Sequence, residues 1–168
     1  MFKQYAWIGL GGNLDKTPEI LLSARRALQS LSAHAIVCSP IYRSAPWGVR
    51  EQNPFLNQVV AMVPSETPDE LMDRLLQIEV DHGRIRAGEM RWGPRHLDLD
   101  LLDWPTFQAN TVVQLPHPRL HLRRFVLQPW FDLAPTHIPM GFGRSIEQLL
   151  RACVDTGACE RTMLFSAL

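Results

Sequence analysis

Two helix starts of the same chemistry, Thr17-Pro18-Glu19 and Thr67-Pro68-Asp69-Glu70, each follow a strand-like apolar run. Thr is a good helix cap, Pro is tolerated at the first helical position, and Glu70 completes a capping box with Thr67. The apolar residues behind them, Leu21, Leu22, Ala24, Leu28 and Leu31 in one case and Leu71, Leu75, Leu76 and Ile78 in the other, recur at helical spacing. Gly83 ends the second repeat. Before the first helix, residues 5–10 are apolar and aromatic and stop at Gly11-Gly12-Asn13, the pattern of a strand running into a tight turn. Ala35–Tyr42 and Val-rich Phe55–Val63 read as strands on either side of a loop, Ser44–Pro54. After a polar loop, Leu97–Leu102 alternates Leu with Asp as a further strand.

The resulting order is β-α-β-β-α-β. That is the ferredoxin-like plan of the α+β class, a mostly antiparallel sheet with helices on one face. The last third of the chain reads as an irregular, Pro-rich C-terminal extension up to a short helix near Ser145–Cys153. With 168 residues and no repeat or dividing linker, a single domain over 1–168 is expected, large enough to fold without disulfides or a structural metal.

Charge narrows the function. The 17 basic and 17 acidic residues cancel, which argues against nucleic-acid coating and polybasic membrane binding but leaves room for a local anion site. Apart from Lys3 and Lys16 every basic residue is Arg, the side chain suited to bidentate carboxylate and phosphate contacts. Three Cys, at 38, 153 and 159, form no C-x-x-C pair, so free thiols in a reducing compartment are expected. The N-terminus lacks a signal-peptide pattern and no apolar run approaches a membrane span, so the expected location is cytoplasmic. Nothing sets an oligomeric state, and a monomer is consistent with the sequence.

In Leu97-Asp98-Leu99-Asp100-Leu101 the period of two places both carboxylates on one face and the three Leu on the other. Paired carboxylates repel unless a cation lies between them, and Mg²⁺ is commonly held by one or two carboxylates together with substrate phosphates. A solvated polar face is the alternative. Upstream, Arg84, Arg86, Arg91 and Arg95 stand in one loop with Trp92. They outnumber Asp98, Asp100 and Glu89, which favours an anionic ligand over pairing among themselves. The loop has two Gly and few apolar anchors, so closure over a ligand is expected. Downstream, His117 stands between two prolines and near Arg119 and Arg123, on a stiff segment where an exposed side chain is expected. Phe55 and Asn57 open the third strand, Phe as a stacking face and Asn as donor and acceptor for a heteroaromatic edge, or as core Phe and loop cap.

Several stretches in order resemble the 6-hydroxymethyl-7,8-dihydropterin pyrophosphokinase family of folate biosynthesis. They are Ile8–Leu14, Ser39–Ser44, Gln52–Asn57, Ile78-Glu79, Gly83–Arg86, Arg91–Asp100, and Pro116-His117-Pro118 through Arg123–Leu127. Together they span about residues 5–135, and 136–168 carries no such signal. The resemblance implies transfer of pyrophosphate from ATP to the pterin hydroxymethyl group with release of AMP. It implies Asp98 and Asp100 as ligands of two Mg²⁺ ions. Arg84, Arg95, His117 and Arg123 would contact the phosphates, with Arg86 and Arg91 on the closing loop. Arg84, Arg95, Asp98 and Asp100 would carry the catalysis. Ser44, Ala45, Trp47, Phe55, Asn57, Trp92 and Phe125 would surround the pterin, and Glu79 would stand near the nucleotide.

Four departures from the family pattern stand out: Gly12 where Ser is usual, His96 where Thr is usual, the bulky Trp47, and Ala87-Gly88-Glu89 in the basic loop. Two alternatives follow. One is a catalytically weak paralogue that binds pterin or nucleotide. The other is a ferredoxin-like RNA-binding module, which calls for exposed aromatics where this chain has Asp98 and Asp100.

Overall fold

The computed structural model describes residues 4–46, 51–84, 93–107 and 113–163. Within them one sheet is built from β1 (Ala6–Gly12), β2 (Val37–Cys38), β3 (Tyr42–Ser44), β4 (Phe55–Met62), β5 (Asp98–Asp103) and β6 (Cys159–Arg161). The order is β5-β1-β4-β3-β6, β2 also pairs with β4, and these pairings are antiparallel. The helices are α1 (Thr17–Ser30), α2 (Pro68–Asp81), α3 (Arg124–Leu133) and α4 (Ile146–Arg151).

Strand alternation divides the interior into two layers. Ala6, Ile8 and Leu10 of β1 join Val60, Met62, Leu97, Leu99 and Leu101 against Leu21, Leu28, Leu71 and Leu75 of α1 and α2. On the opposite face Trp7, Val59, Ala61 and Leu102 pack on Leu127 and Trp130 of α3 and on Ile146 and Leu149 of α4. The βαββαβ core is therefore as expected, but helices cover both faces of the sheet rather than one. The residues expected to be irregular supply α3 and β6. Pro129 inside α3 removes a helix hydrogen bond and interrupts the sequence pattern, yet burial of Val126, Leu127 and Trp130 holds the helix.

Two local expectations change. The strand expected over 35–42 is broken into β2 and β3. Pro40 has no N–H to give to a ladder, and just before it Ser39 Oγ accepts the Val59 N–H at 3.0 Å. Thr17 is the first residue of α1 rather than its cap. Lys16 occupies the cap in a left-handed conformation (φ 62°), and the Thr17 hydroxyl donates to the Leu14 carbonyl. The capping box on α2 forms as expected: the Thr67 N–H donates to Glu70 Oε2 at 2.9 Å and the Glu70 N–H to Thr67 Oγ1 at 3.4 Å.

Residues past 135 are part of this packing. His137 packs against both Trp7 and Trp130, with ring centroids 5.0 and 5.5 Å away, and its Nε2 pairs with Asp103 Oδ2 at 2.8 Å. Asp103 is fully buried at the end of β5, so this pair ties the extension to the strand that carries Asp98 and Asp100. Among the described residues no helix is long and apolar enough to cross a membrane.

Candidate active site

On the α3 face of the sheet the even-numbered residues of β5 and the odd-numbered residues of β1 and β4 meet. At that point β1 supplies Gly9 and Gly11, and they line a cleft that opens to solvent. A Cβ on Gly11 would lie 3.0 Å from Asn57 Oδ1, so the absence of a side chain there gives the Asn57 amide its place. Ser44, Ala45, Phe55 and Asn57 form one wall; Arg123, Phe125 and Val126 form the other; Arg95, Asp98 and Asp100 close the end. The buried Asn57 donates through Nδ2 to Ser44 Oγ at 2.8 Å, which fixes the amide orientation and leaves Oδ1 facing Gly11.

Asp98 and Asp100 share the face expected of them, opposite the buried Leu97, Leu99 and Leu101. Among the described residues Arg84, Arg95 and Arg123 pair with them. Arg84 Nη1 stands 2.6 Å from Asp98 Oδ1 and 2.5 Å from Glu79 Oε1. Arg95 Nη1 lies 3.1 Å from Asp98 Oδ2, and Arg123 Nη1 lies 2.7 Å from Asp100 Oδ2. Glu79 adds a third carboxylate. It is 1% exposed on α2, and its Oε1 also accepts the Leu99 N–H at 2.7 Å. Among the described residues three carboxylates thus face three guanidiniums, and the formal charges of these six cancel.

His117 is half-buried rather than exposed. Its own N–H donates to the Leu102 carbonyl at 2.7 Å, and its Nδ1 accepts the Arg119 N–H at 3.1 Å. An accepting Nδ1 leaves the proton of the neutral ring on Nε2. Burial pushes this imidazole below its ordinary value; Asp100 opposes that, while Arg123 and Arg119 reinforce it. A group depressed in this way resists protonation when folded, so the stability present above its unfolded value of about 6.5 is lost as the pH falls from there through its lower folded value. A nuclear magnetic resonance titration of His117 should give a midpoint below that value, rising when a triphosphate is added; a midpoint at or above 6.5 in the protein alone would contradict the burial described.

Asn13 was not singled out by sequence reasoning, which took Gly11-Gly12-Asn13 as a turn. It is buried, donates from Nδ2 to Gln52 Oε1 at 3.0 Å and to the Asn53 carbonyl at 2.9 Å, and accepts the Arg95 N–H at 2.9 Å. Asn13 thereby joins the end of β1 to Arg95 and to the loop before β4. Beside it, two departures from the family pattern touch: a Cβ on Gly12 would approach the His96 carbonyl to 2.4 Å. Gly12→Ser should therefore displace the backbone next to Arg95 and lower the melting temperature by several degrees, about 1–3 kcal/mol of overpacking; thermal unfolding measures it.

Trp47, Arg86, Arg91, Trp92 and the Ala87–Glu89 segment lie outside the described residues, as does most of the 84–95 loop whose closure is expected. Each remaining candidate residue lies in or beside the cleft. Among the described residues no three His, Cys, Asp or Glu gather as a metal cage.

A sequence model of the family described as 7,8-dihydro-6-hydroxymethylpterin-pyrophosphokinase (HPPK) matches residues 7–135. The chain is 38% identical over 162 residues to a 2-amino-4-hydroxy-6-hydroxymethyldihydropteridine pyrophosphokinase of Pseudomonas aeruginosa, covering 92% of this chain and 94% of that one. That alignment reaches past residue 135. A protein of the same name from Bacillus subtilis is 40% identical over 133 residues, 76% of this chain and 77% of that one. Among solved structures, one titled as an HPPK-DHPS in complex with substrates superposes with a TM-score of 0.68 over 89% of this chain at 13% identity. That likeness concerns the fold, and this chain spans 43% of the solved chain.

Proposed function

The chain belongs to the 7,8-dihydro-6-hydroxymethylpterin-pyrophosphokinase family, and from that premise we propose that its cleft joins ATP to the hydroxymethyl group of 6-hydroxymethyl-7,8-dihydropterin. The reaction is a pyrophosphoryl transfer of folate biosynthesis. The pterin hydroxymethyl oxygen bonds to the β-phosphorus and gives up its proton to water, the bond from that phosphorus to the α-phosphate oxygen breaks, and AMP leaves with the electron pair. The observation that carries this assignment is the convergence of Asp98, Asp100, Arg84, Arg95 and Arg123 at one end of a cleft whose walls hold Asn57, Phe55 and Phe125.

An enzyme that uses ATP has need of Mg²⁺, and the donor set here suits that ion. Two carboxylates on one strand face, each 31% exposed, leave most of the coordination sphere to phosphate and water. We assign Asp98 and Asp100 as the ligands, with two ions. The metal would supply neutralisation of the charge along the triphosphate. Arg84, Arg95 and Arg123 donate to phosphate oxygens, and His117 does so through its Nε2 proton. Asn57 reads the pterin edge, beside Ser44 and Ala45. Phe55 and Phe125 cover the ring faces and keep water from it. Arg86, Arg91, Trp47 and Trp92 join this assignment on the family resemblance.

Chromatography of the nucleotide products after a single turnover tests the reading. Stoichiometric AMP with a diphosphorylated pterin is the expected result. ADP with a monophosphorylated pterin would overturn it.

A further inference from the structure

Both walls assigned to the pterin are held from behind by one stretch of chain, residues 155–162, which lies outside the span matched by the family model. The first wall is Ser44-Ala45 at the end of β3. The Ala45 N–H donates to the Ala158 carbonyl at 3.0 Å, Ser44 stands opposite Cys159, and the Thr162 N–H donates to the Ile41 carbonyl at 2.8 Å. At only three residues, β3 is too short to be well fixed by one neighbour, and β6 supplies its second edge.

The second wall is the first turn of α3, which carries Phe125 just after Arg123. The side chain of Arg123, at the cap position, makes no capping bond to this helix. The N–H groups of a first turn lack partners inside the helix, and a carboxylate is a favoured acceptor there. Asp155 provides it from a distance in sequence: Oδ2 accepts the Arg124 N–H at 3.1 Å, and Oδ1 accepts the Gly157 N–H at 2.9 Å. The second of these bonds turns the chain toward Ala158, where the contact with Ala45 begins. A short segment therefore spans from the start of the Phe125 helix to the Ser44-Ala45 strand.

We propose that Asp155 and β6 are positioning elements for this reaction, setting the separation of the two pterin walls and hence pterin affinity, a role that rests on the pterin assignment above. Nucleotide affinity stays with Arg84, Arg95, His117 and Arg123; the last stands at the cap of the same helix, but its guanidinium is held by Asp100 at 2.7 Å.

The test compares full-length Asp155→Ala, Asp155→Asn and Glu160→Pro. Bonded pairs alternate along an antiparallel ladder. With Ala45–Ala158 and Ile41–Thr162 bonded, the pair between them, Arg43–Glu160, is bonded too, and proline at 160 removes its donor. Calorimetry would follow a non-hydrolysable MgATP analogue alone, and then 6-hydroxymethyl-7,8-dihydropterin added to that complex. Asp155→Ala should weaken pterin binding about fivefold to tenfold, the usual scale for a lost helix cap, with less than about a twofold change for the nucleotide analogue. Asp155→Asn keeps an oxygen for the Arg124 N–H and should recover most of the loss. Glu160→Pro should shift pterin affinity in the same direction. Unchanged pterin affinity in Asp155→Ala, or equal losses for both ligands, would overturn the positioning role while leaving the functional reading intact. Failure of the unaltered chain to bind pterin would instead overturn that reading, and this role with it.

Discussion

Asp100→Asn and Asp98→Asn each lower turnover by at least about a thousandfold, the scale of about 4 kcal/mol of lost transition-state stabilisation, while the protein stays folded. Among the described residues the proposed metal ligands are the carboxylates that line the cleft. Their amides carry no charge to hold a divalent ion. The fold is spared because the isosteric amide keeps an oxygen that accepts from the arginines left behind, so no guanidinium loses its partner outright. The two variants differ in what they release: Asp98 holds Arg84 and Arg95, whereas Asp100 holds Arg123. Single-turnover AMP formation and a melting curve measure both halves of the expectation. Near-normal AMP formation in either variant would remove that residue from the metal assignment.

Glu79→Ala has its largest effect on stability. The change deletes a carboxylate that is 1% exposed and is bonded to Arg84 and to the Leu99 N–H. Removing one partner of a buried ion pair costs about 3–5 kcal/mol, because the other charge remains without compensation. Arg84 is 11% exposed but keeps Asp98, so the lower end is expected. For a chain of this size that corresponds to a drop of roughly 6–12 °C in melting temperature. Thermal unfolding with and without a triphosphate would show it; a shift under about 2 °C would mean that Glu79 does not anchor β5 to α2.

Why some of this was legible in the sequence and some was not follows from how far apart the partners lie. Asp98 and Asp100 could be placed on one face because Leu97, Leu99 and Leu101 set a period of two within a single strand. Both helix starts could be read because a cap is a local device, although Lys16 rather than Thr17 holds the first. The residues around the pterin came from a family pattern, not from local chemistry. Glu79 shows the limit: on an amphipathic helix one more acid looks solvated, and only the packing of α2 on β5 buries it. Counting charges within residues 84–100 therefore missed it, because its partner Arg84 lies in that stretch while Glu79 does not. Asn13 looks like a turn residue until the loop before β4 and Arg95 are brought to it. Strand β6 has no signal of its own, since three residues make a strand only when β3 lies alongside.

The balanced set of Glu79, Asp98 and Asp100 against Arg84, Arg95 and Arg123 has a thermodynamic consequence under the proposed assignment. A bare divalent cation has to compete with guanidiniums for the carboxylates, and a bare polyphosphate has to compete with carboxylates for the guanidiniums. Each ligand alone leaves one set of charges without partners. Arriving together, they exchange partners with the protein, and every charge is matched again. Linkage then makes the effect reciprocal: the nucleotide tightens the metal by the same factor as the metal tightens the nucleotide. Selectivity for the metal complex over either component is thus written into the ion pairs of the protein itself.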